Sequence, residues 1–149
     1  MNKEPESFEQ SESLKQKTQD CIDLCSKECK KSVSITIPVR IMSEANLQEH
    51  WTKKHKRKKA IQSAIKYYWN SSDMPSISLP VTITFTRLAP RTLDDDNNVF
   101  AFKAARDTIS DLFIPNLAPG RADDSSELKF KYAQQKSKEY GFKIDAQEF

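Results

Sequence analysis

The sequence predicts an α+β (α/β) fold, a single domain in which a mixed β-sheet of about four strands packs with two main helices. Three observations predict it. Apolar residues alternate with polar ones around 33–39 and 79–88, and twice more beyond residue 127. Two longer stretches, about 43–69 and 97–113, instead carry apolar residues at helical spacing. The resulting order is strand, helix, strand, helix, strand, strand, and a length of 149 residues suits one such domain with a tail.

The tail is residues 1–32. Residues 1–16 are Glu, Ser, Gln and Lys with a single Phe8, the composition of a disordered segment. Residues 17–31 suit a short helix, which would stack Cys21, Cys25 and Cys29 on one face. Three cysteines are an odd number for a disulfide framework, and zinc usually takes four ligands. The stripe is therefore read as a small apolar face. The opening residues MNKEPESFEQSES are polar and acidic, unlike a secretory signal. No apolar run approaches the ~20 residues of a membrane span, so a cytoplasmic chain without a membrane partner is expected.

The folded domain is expected to span 33–149. Val33, Ile35, Ile37 and Val39 make the first strand, and Pro38 within it favours an edge position or a strand end. Ser43 precedes the first helix, whose apolar positions are Leu47, Trp51, Ile61, Ile65 and Tyr68. A loop at 70–75 leads to the second strand, where Val81, Ile83 and Phe85 alternate with threonines. Pro90 ends it. The second helix turns Val99, Phe102, Ala105, Ile109 and Leu112 toward the core. Pro115, Pro119 and Gly120 mark a loop before the third strand (Leu128, Phe130, Tyr132), and a turn near Gly141 leads to the fourth (Phe142, Ile144, Ala146).

Net charge is only +3, but its distribution is uneven. Lys53, Lys54, Lys56, Arg57, Lys58 and Lys59 fall within seven residues, with His50 and His55 alongside. A dense, single-signed run binds phosphate backbone by displacing counterions. The alternative is a solvated helix face. The two histidines lack the spacing and intervening Glu of a helical zinc-protease motif, and with two glycines there is no glycine-rich phosphate loop.

Asp94, Asp95 and Asp96 join the second strand to the second helix. Alone, such a triplet is more often a solvated helix cap than a metal site. Two further features favour chemistry. At ~100° per residue, Lys103 and Asp107 return to within roughly 20° of the direction of Asp96, giving a polar stripe on the helix. A second acidic pair, Asp123 and Asp124, follows a long loop and precedes a strand. Carboxylates gathered on one rim repel unless a cation joins them, and their hard oxygens suit Mg²⁺. Such a site fits hydrolysis of a phosphodiester, with a lysine opposing the negative charge of the transition state.

These residues resemble the RusA family of Holliday junction resolvases, especially its phage and prophage members, over roughly 33–147. The family's Asp-x-Asp-Asn motif falls on Asp94, Asp96 and Asn97, its lysine on Lys103 and its third aspartate on Asp124. Pro38-Val39-Arg40, Ser43 to Asn46, His50-Trp51, Phe130 to Gln134 and Tyr140 to Phe142 add to the resemblance. Two features depart from it: Lys103 lies about a turn further on than in the best-known member, and the loop before Asp123 is longer, leaving Asp123 or Asp124 as the ligand. Residues 1–32 have no counterpart.

The resemblance implies a homodimeric crossover junction endodeoxyribonuclease of DNA recombination and repair. It would bind four-way DNA junctions and nick two strands symmetrically with Mg²⁺, or with Mn²⁺ in its place. Asp94, Asp96 and Asp124 would hold metal and Lys103 would steady the scissile phosphate. The residues Lys53, Lys54, Lys56, Arg57, Lys58, Lys59 and Arg91 would contact DNA, while Asp95 and Asp107 would be supporting or structural. The competing readings are a related nuclease acting on forks or flaps, a protein that clamps branched DNA without cutting it, and a domain whose acidic loop is only a cap.

Overall fold

A computed structural model of the chain describes residues 30–44, 47–72 and 76–149. The expected helix over 17–31, its cysteines and the disordered segment 1–16 lie outside the described residues, apart from Lys30 and Lys31, which are not helical. From Lys31 onward the order is β1 (Ser32–Ile37), α1 (Trp51–Ser71), β2 (Val81–Ala89), α2 (Asp95–Ala101), α3 (Lys103–Phe113), a 3₁₀ turn (Ala122–Asp124), β3 (Leu128–Lys136) and β4 (Gly141–Glu148). This is an α+β domain with a four-stranded mixed sheet, in the order β1-β4-β2-β3. Strand β4 runs antiparallel to both β1 and β2, while β3 runs parallel to β2. Among the described residues, no helix is long and apolar enough to cross a membrane.

The period-2 pattern is realised directly. Val81, Ile83, Phe85, Arg87 and Ala89 are buried on one face of β2, and Phe142, Ile144 and Ala146 are buried on β4 beside them. The other face is polar: Thr84 lies opposite Asp145 and Thr86 opposite Lys143, and those two charged residues pair at 3.0 Å. One apolar face covered by helices and one wet face is the usual arrangement of a largely antiparallel sheet. β1 is an edge strand that ends just before Pro38, as a residue without an amide proton requires. Gly141 starts β4 against β1, and a Cβ there would sit 3.0 Å from the Ile37 carbonyl oxygen. The close approach explains the glycine.

Two helix expectations are corrected. The first helix starts at Trp51, not near Ser43, and the imidazole of His50 accepts a hydrogen bond from the Thr52 amide at 3.4 Å as its N-cap. Glu44 and Glu49, upstream of the cap, are instead drawn onto Arg57. Ile61 and Ile65 are buried as expected, but Trp51 is 69% exposed and Leu47 lies outside the helix.

The second helix is two helices. Phe102 (φ −87°, ψ 2°) separates α2 from α3, and its ring lies 5.2 Å from Phe85 and 6.0 Å from Phe142. Complete burial of a Phe contributes about 1.5–3 kcal/mol, whereas an interrupted helix forfeits roughly one hydrogen bond of about 1 kcal/mol. Packing outweighs helical continuity here. Ala105 and Ile109 are buried, Leu112 is half-buried, and Val99, expected in the core, is exposed.

Candidate active site

The acidic loop is held by a side chain from β3. Gln134 Nε2 donates to the Leu93 carbonyl at 2.7 Å, and its Oε1 accepts from the Leu93 amide at 2.8 Å. The amide thus does for Leu93 what a strand neighbour would do, which fixes the residue just before Asp94. Asn98, nearly fully buried, donates to the Ala133 carbonyl at 3.4 Å, and Ser43 donates to Asn97 Oδ1 at 3.0 Å. Two asparagines and a glutamine therefore tie the start of α2 to the strap after β1 and to β3.

On this support stand Asp94, Asp95 and Asp96, all exposed. Asp94 occupies the N-cap position of α2, yet its side chain makes no capping bond. Among the described residues, none of the three side chains has a hydrogen bond or ion pair. The positive end of α2 favours the carboxylates through its amide dipoles, which is a weak effect on exposed groups.

The break at Phe102 removes the geometric basis for a continuous Asp96–Lys103–Asp107 stripe, because the angular count assumes one unbroken helix. Lys103 opens α3 instead, and Asp107 follows one turn later. These two, with Lys58, Arg57 and Glu44, line a pocket of about 260 Å³ floored by Ile61 and Ala104 and rimmed by the exposed Phe100. Lys58 Nζ lies 3.9 Å from Asp107 Oδ2. Burial raises the pKa of Asp107 despite that lysine, and the charge of Asp123 adds to the rise. Arg106 pairs with Asp123 at 2.8 Å, tying the 3₁₀ turn to α3, while the neighbouring Asp124 is exposed and has no partner among the described residues.

The structure therefore gathers Lys58, Lys103, Arg106, Asp107 and Asp123, and places Asp94 at the N-cap and Asp95 and Asp96 in the first turn of α2. Among the described residues, no three His, Cys, Asp or Glu side chains stand together closely enough to hold a metal ion. Asp94, Asp96 and Asp124 supply the right donor type, hard and unpaired carboxylate oxygen, without being collected into one group.

Of the basic run, Lys53, Lys56, Lys58 and Lys59 are exposed on α1 and Lys54 is half-buried. Arg57 differs from them. Its Nε donates to Glu44 at 3.0 Å and its Nη2 to Glu49 at 2.5 Å, so it fastens the segment before α1 onto that helix. Arg91 is exposed just before the acidic loop.

Sequence reasoning missed two features. Gln134 entered only as the end of the Phe130–Gln134 stretch of the resemblance, and an amide in a strand reveals no role until its partner is known. Arg87 carried a signal: the alternation Val81, Ile83, Phe85 runs on through it, so period 2 puts an arginine on the buried face. No protein-family model matches the chain, and no curated protein matches it either.

Proposed function

We propose that this chain is a Mg²⁺-dependent endonuclease that cuts branched DNA, a RusA-like resolvase of four-way junctions acting as a homodimer. The observation that carries the reading is the triplet Asp94-Asp95-Asp96. Three adjacent carboxylates are exposed at the start of α2 with no capping bond and no ion pair among the described residues. Like charges kept together without a structural partner suit a ligand that is itself cationic.

In this reading Asp94 and Asp96 hold the cation with Asp124, and Asp95 turns to solvent. Bound Mg²⁺, with Mn²⁺ able to replace it, supplies polarisation of a phosphoryl oxygen and a water of lowered pKa. Lys103 places an ammonium beside the phosphate to oppose the charge gained in the transition state. Gln134, through Leu93, holds the loop in place before the strand arrives. The lysines of α1 grip the sugar–phosphate backbone, a contact that reads shape more than sequence. A two-fold dimer would offer one site to each of two strands of a junction.

A second reading, a protein that clamps branched DNA without cutting it, draws on the dispersed carboxylates, which form no three-ligand group among the described residues. The test is incubation of a synthetic four-way junction, beside a linear duplex of the same sequence, with Mg²⁺, Mn²⁺ or EDTA. The nuclease reading expects paired, metal-dependent nicks in the junction alone. It also expects Asp96→Asn to slow cutting by on the order of 10²-fold or more while junction binding holds or tightens. A junction-specific gel shift without cutting under either metal would replace it with the clamp.

A further inference from the structure

Beside the acidic loop, and separate from the pocket that holds Lys103, lies a second concavity of about 440 Å³. Three arginines line it: Arg40 from the strap after β1, Arg87 from β2 and Arg91 from the turn that follows. Tyr140, just before β4, completes it, with its ring 4.3 Å from the Arg40 guanidinium carbon. Among the described residues none of the three arginines has a carboxylate within salt-bridge distance.

Arg87 is the unusual member. It continues the buried face of β2 and is only 6% exposed. Its Nη1 donates to the Arg91 carbonyl at 2.7 Å and its Nε to the Ile41 carbonyl at 3.3 Å. Neutral oxygens thus orient the guanidinium without compensating its charge. A buried arginine normally sits beside a carboxylate, because desolvating an unpaired cation is costly. Here burial, and then the charge of Arg40, lower its pKa, while Tyr140 pulls the other way. The two carbonyl bonds position the side chain, but its charge has no counterion among the described residues.

We propose that Arg40, Arg87, Arg91 and Tyr140 form an oxyanion site that takes a phosphate group of a nucleic-acid strand, next to the strand position presented to Asp94 and Asp96. Arginine suits this use because its planar donors engage two phosphate oxygens at once. The carbonyls of Ile41 and Arg91 preset the direction of Arg87, so little order is lost on binding. Arg91, Thr92 and Leu93 line this pocket and lead directly into Asp94. A phosphate held here would fix the strand's register relative to the acidic loop. This deepens the nucleic-acid reading of the acidic site and rests on it for the identity of the strand, though the oxyanion chemistry stands independently.

The test follows the guanidinium Nε–H signals of Arg40, Arg87 and Arg91 by NMR in EDTA, where cleavage plays no part. Three probes are titrated: inorganic phosphate, an unbranched oligonucleotide, and the same oligonucleotide with a neutral methylphosphonate backbone. The three signals are expected to move together and saturate with the first two probes and to stay still with the third. Arg40→Gln is expected to weaken both by about 10- to 100-fold, as loss of a charged hydrogen bond does. The loss of affinity is expected whichever way the melting temperature of the unliganded protein moves, since Arg40 both repels Arg87 and lies over the Tyr140 ring. A lowered melting temperature with unchanged affinity would make Arg40 merely structural and overturn the proposal. Saturation by inorganic phosphate with no response to the oligonucleotide would also overturn it, in favour of a small-anion site. Failure of the nuclease reading would show instead as absent cutting, with these titrations intact.

Discussion

Gln134 shows how much one side chain can position. Its two hydrogen bonds to Leu93, at 2.7 and 2.8 Å, replace a strand pairing that the chain itself does not make there. Gln134→Ala is expected to cost about 1–3 kcal/mol. On the nuclease reading its loss in turnover should exceed what the fall in folded fraction explains, since Asp94 loses its anchor. Cutting rates measured well below the melting temperature check this, and turnover that simply tracks the folded fraction would count against it. Asp107 gives a prediction of opposite sign. Burial raises its pKa above the ordinary 3.8, against the pull of Lys58 at 3.9 Å. A carboxyl protonated more readily when folded makes the native state lose stability as pH climbs from 3.8 through the raised value. Above that window Asp107→Asn should therefore melt higher than the parent, and the acid-side slope should flatten. Thermal melts from acid to neutral pH test both. A lower melting temperature at neutral pH would mean that the Lys58 pair outweighs burial. At this scale the site was only partly legible in the sequence. The aspartates announced themselves by composition, whereas Arg87 required following the strand alternation past Phe85, and the amide of Gln134 acquires meaning only from its position opposite Leu93.

Helix α1 carries its charges in two different ways. Lys53, Lys56, Lys58 and Lys59 are exposed, while Arg57 is spent on Glu44 and Glu49. If the helix grips DNA, replacing Lys53, Lys56 or Lys59 by Gln should lower the slope of log affinity against log salt by about 1 each. Arg57→Gln should leave that slope nearly unchanged and instead cost about 1–2 kcal/mol of stability, a figure reduced for partial exposure. Binding titrations across salt concentrations distinguish the two, and equal slopes for all four variants would remove α1 from the interface. The boundaries of this element were hidden for a physical reason. Helical spacing ran smoothly back toward Ser43, but the ion pairs that draw Glu44 and Glu49 to Arg57 act across the start of the helix, outside any local pattern. The same holds at Phe102. Its spacing suited a continuous helix from 97 to 113, and the aromatic partners on β2, β3 and β4 explain why the chain breaks to insert the ring.

Across the molecule, the classes of all four strands were readable from alternation, but their neighbours were not. The last two strands follow each other closely in sequence and still do not pair, because β2 lies between them. That order places residues 141–148 at the centre of the sheet, bonded to β1 on one side and β2 on the other. Without residues 141–148, β1 has no partner strand and the β2–β3 pair has one bare side. During synthesis the sheet can close only once the segment beginning at Gly141 has left the ribosome, so its long-range pairings form late. Ribosome-arrested chains ending before Gly141 should be digested readily by protease, and chains extended beyond Glu148 by the length of the exit tunnel should resist. Equal resistance in both would mean that the first half of the domain folds without its central strand.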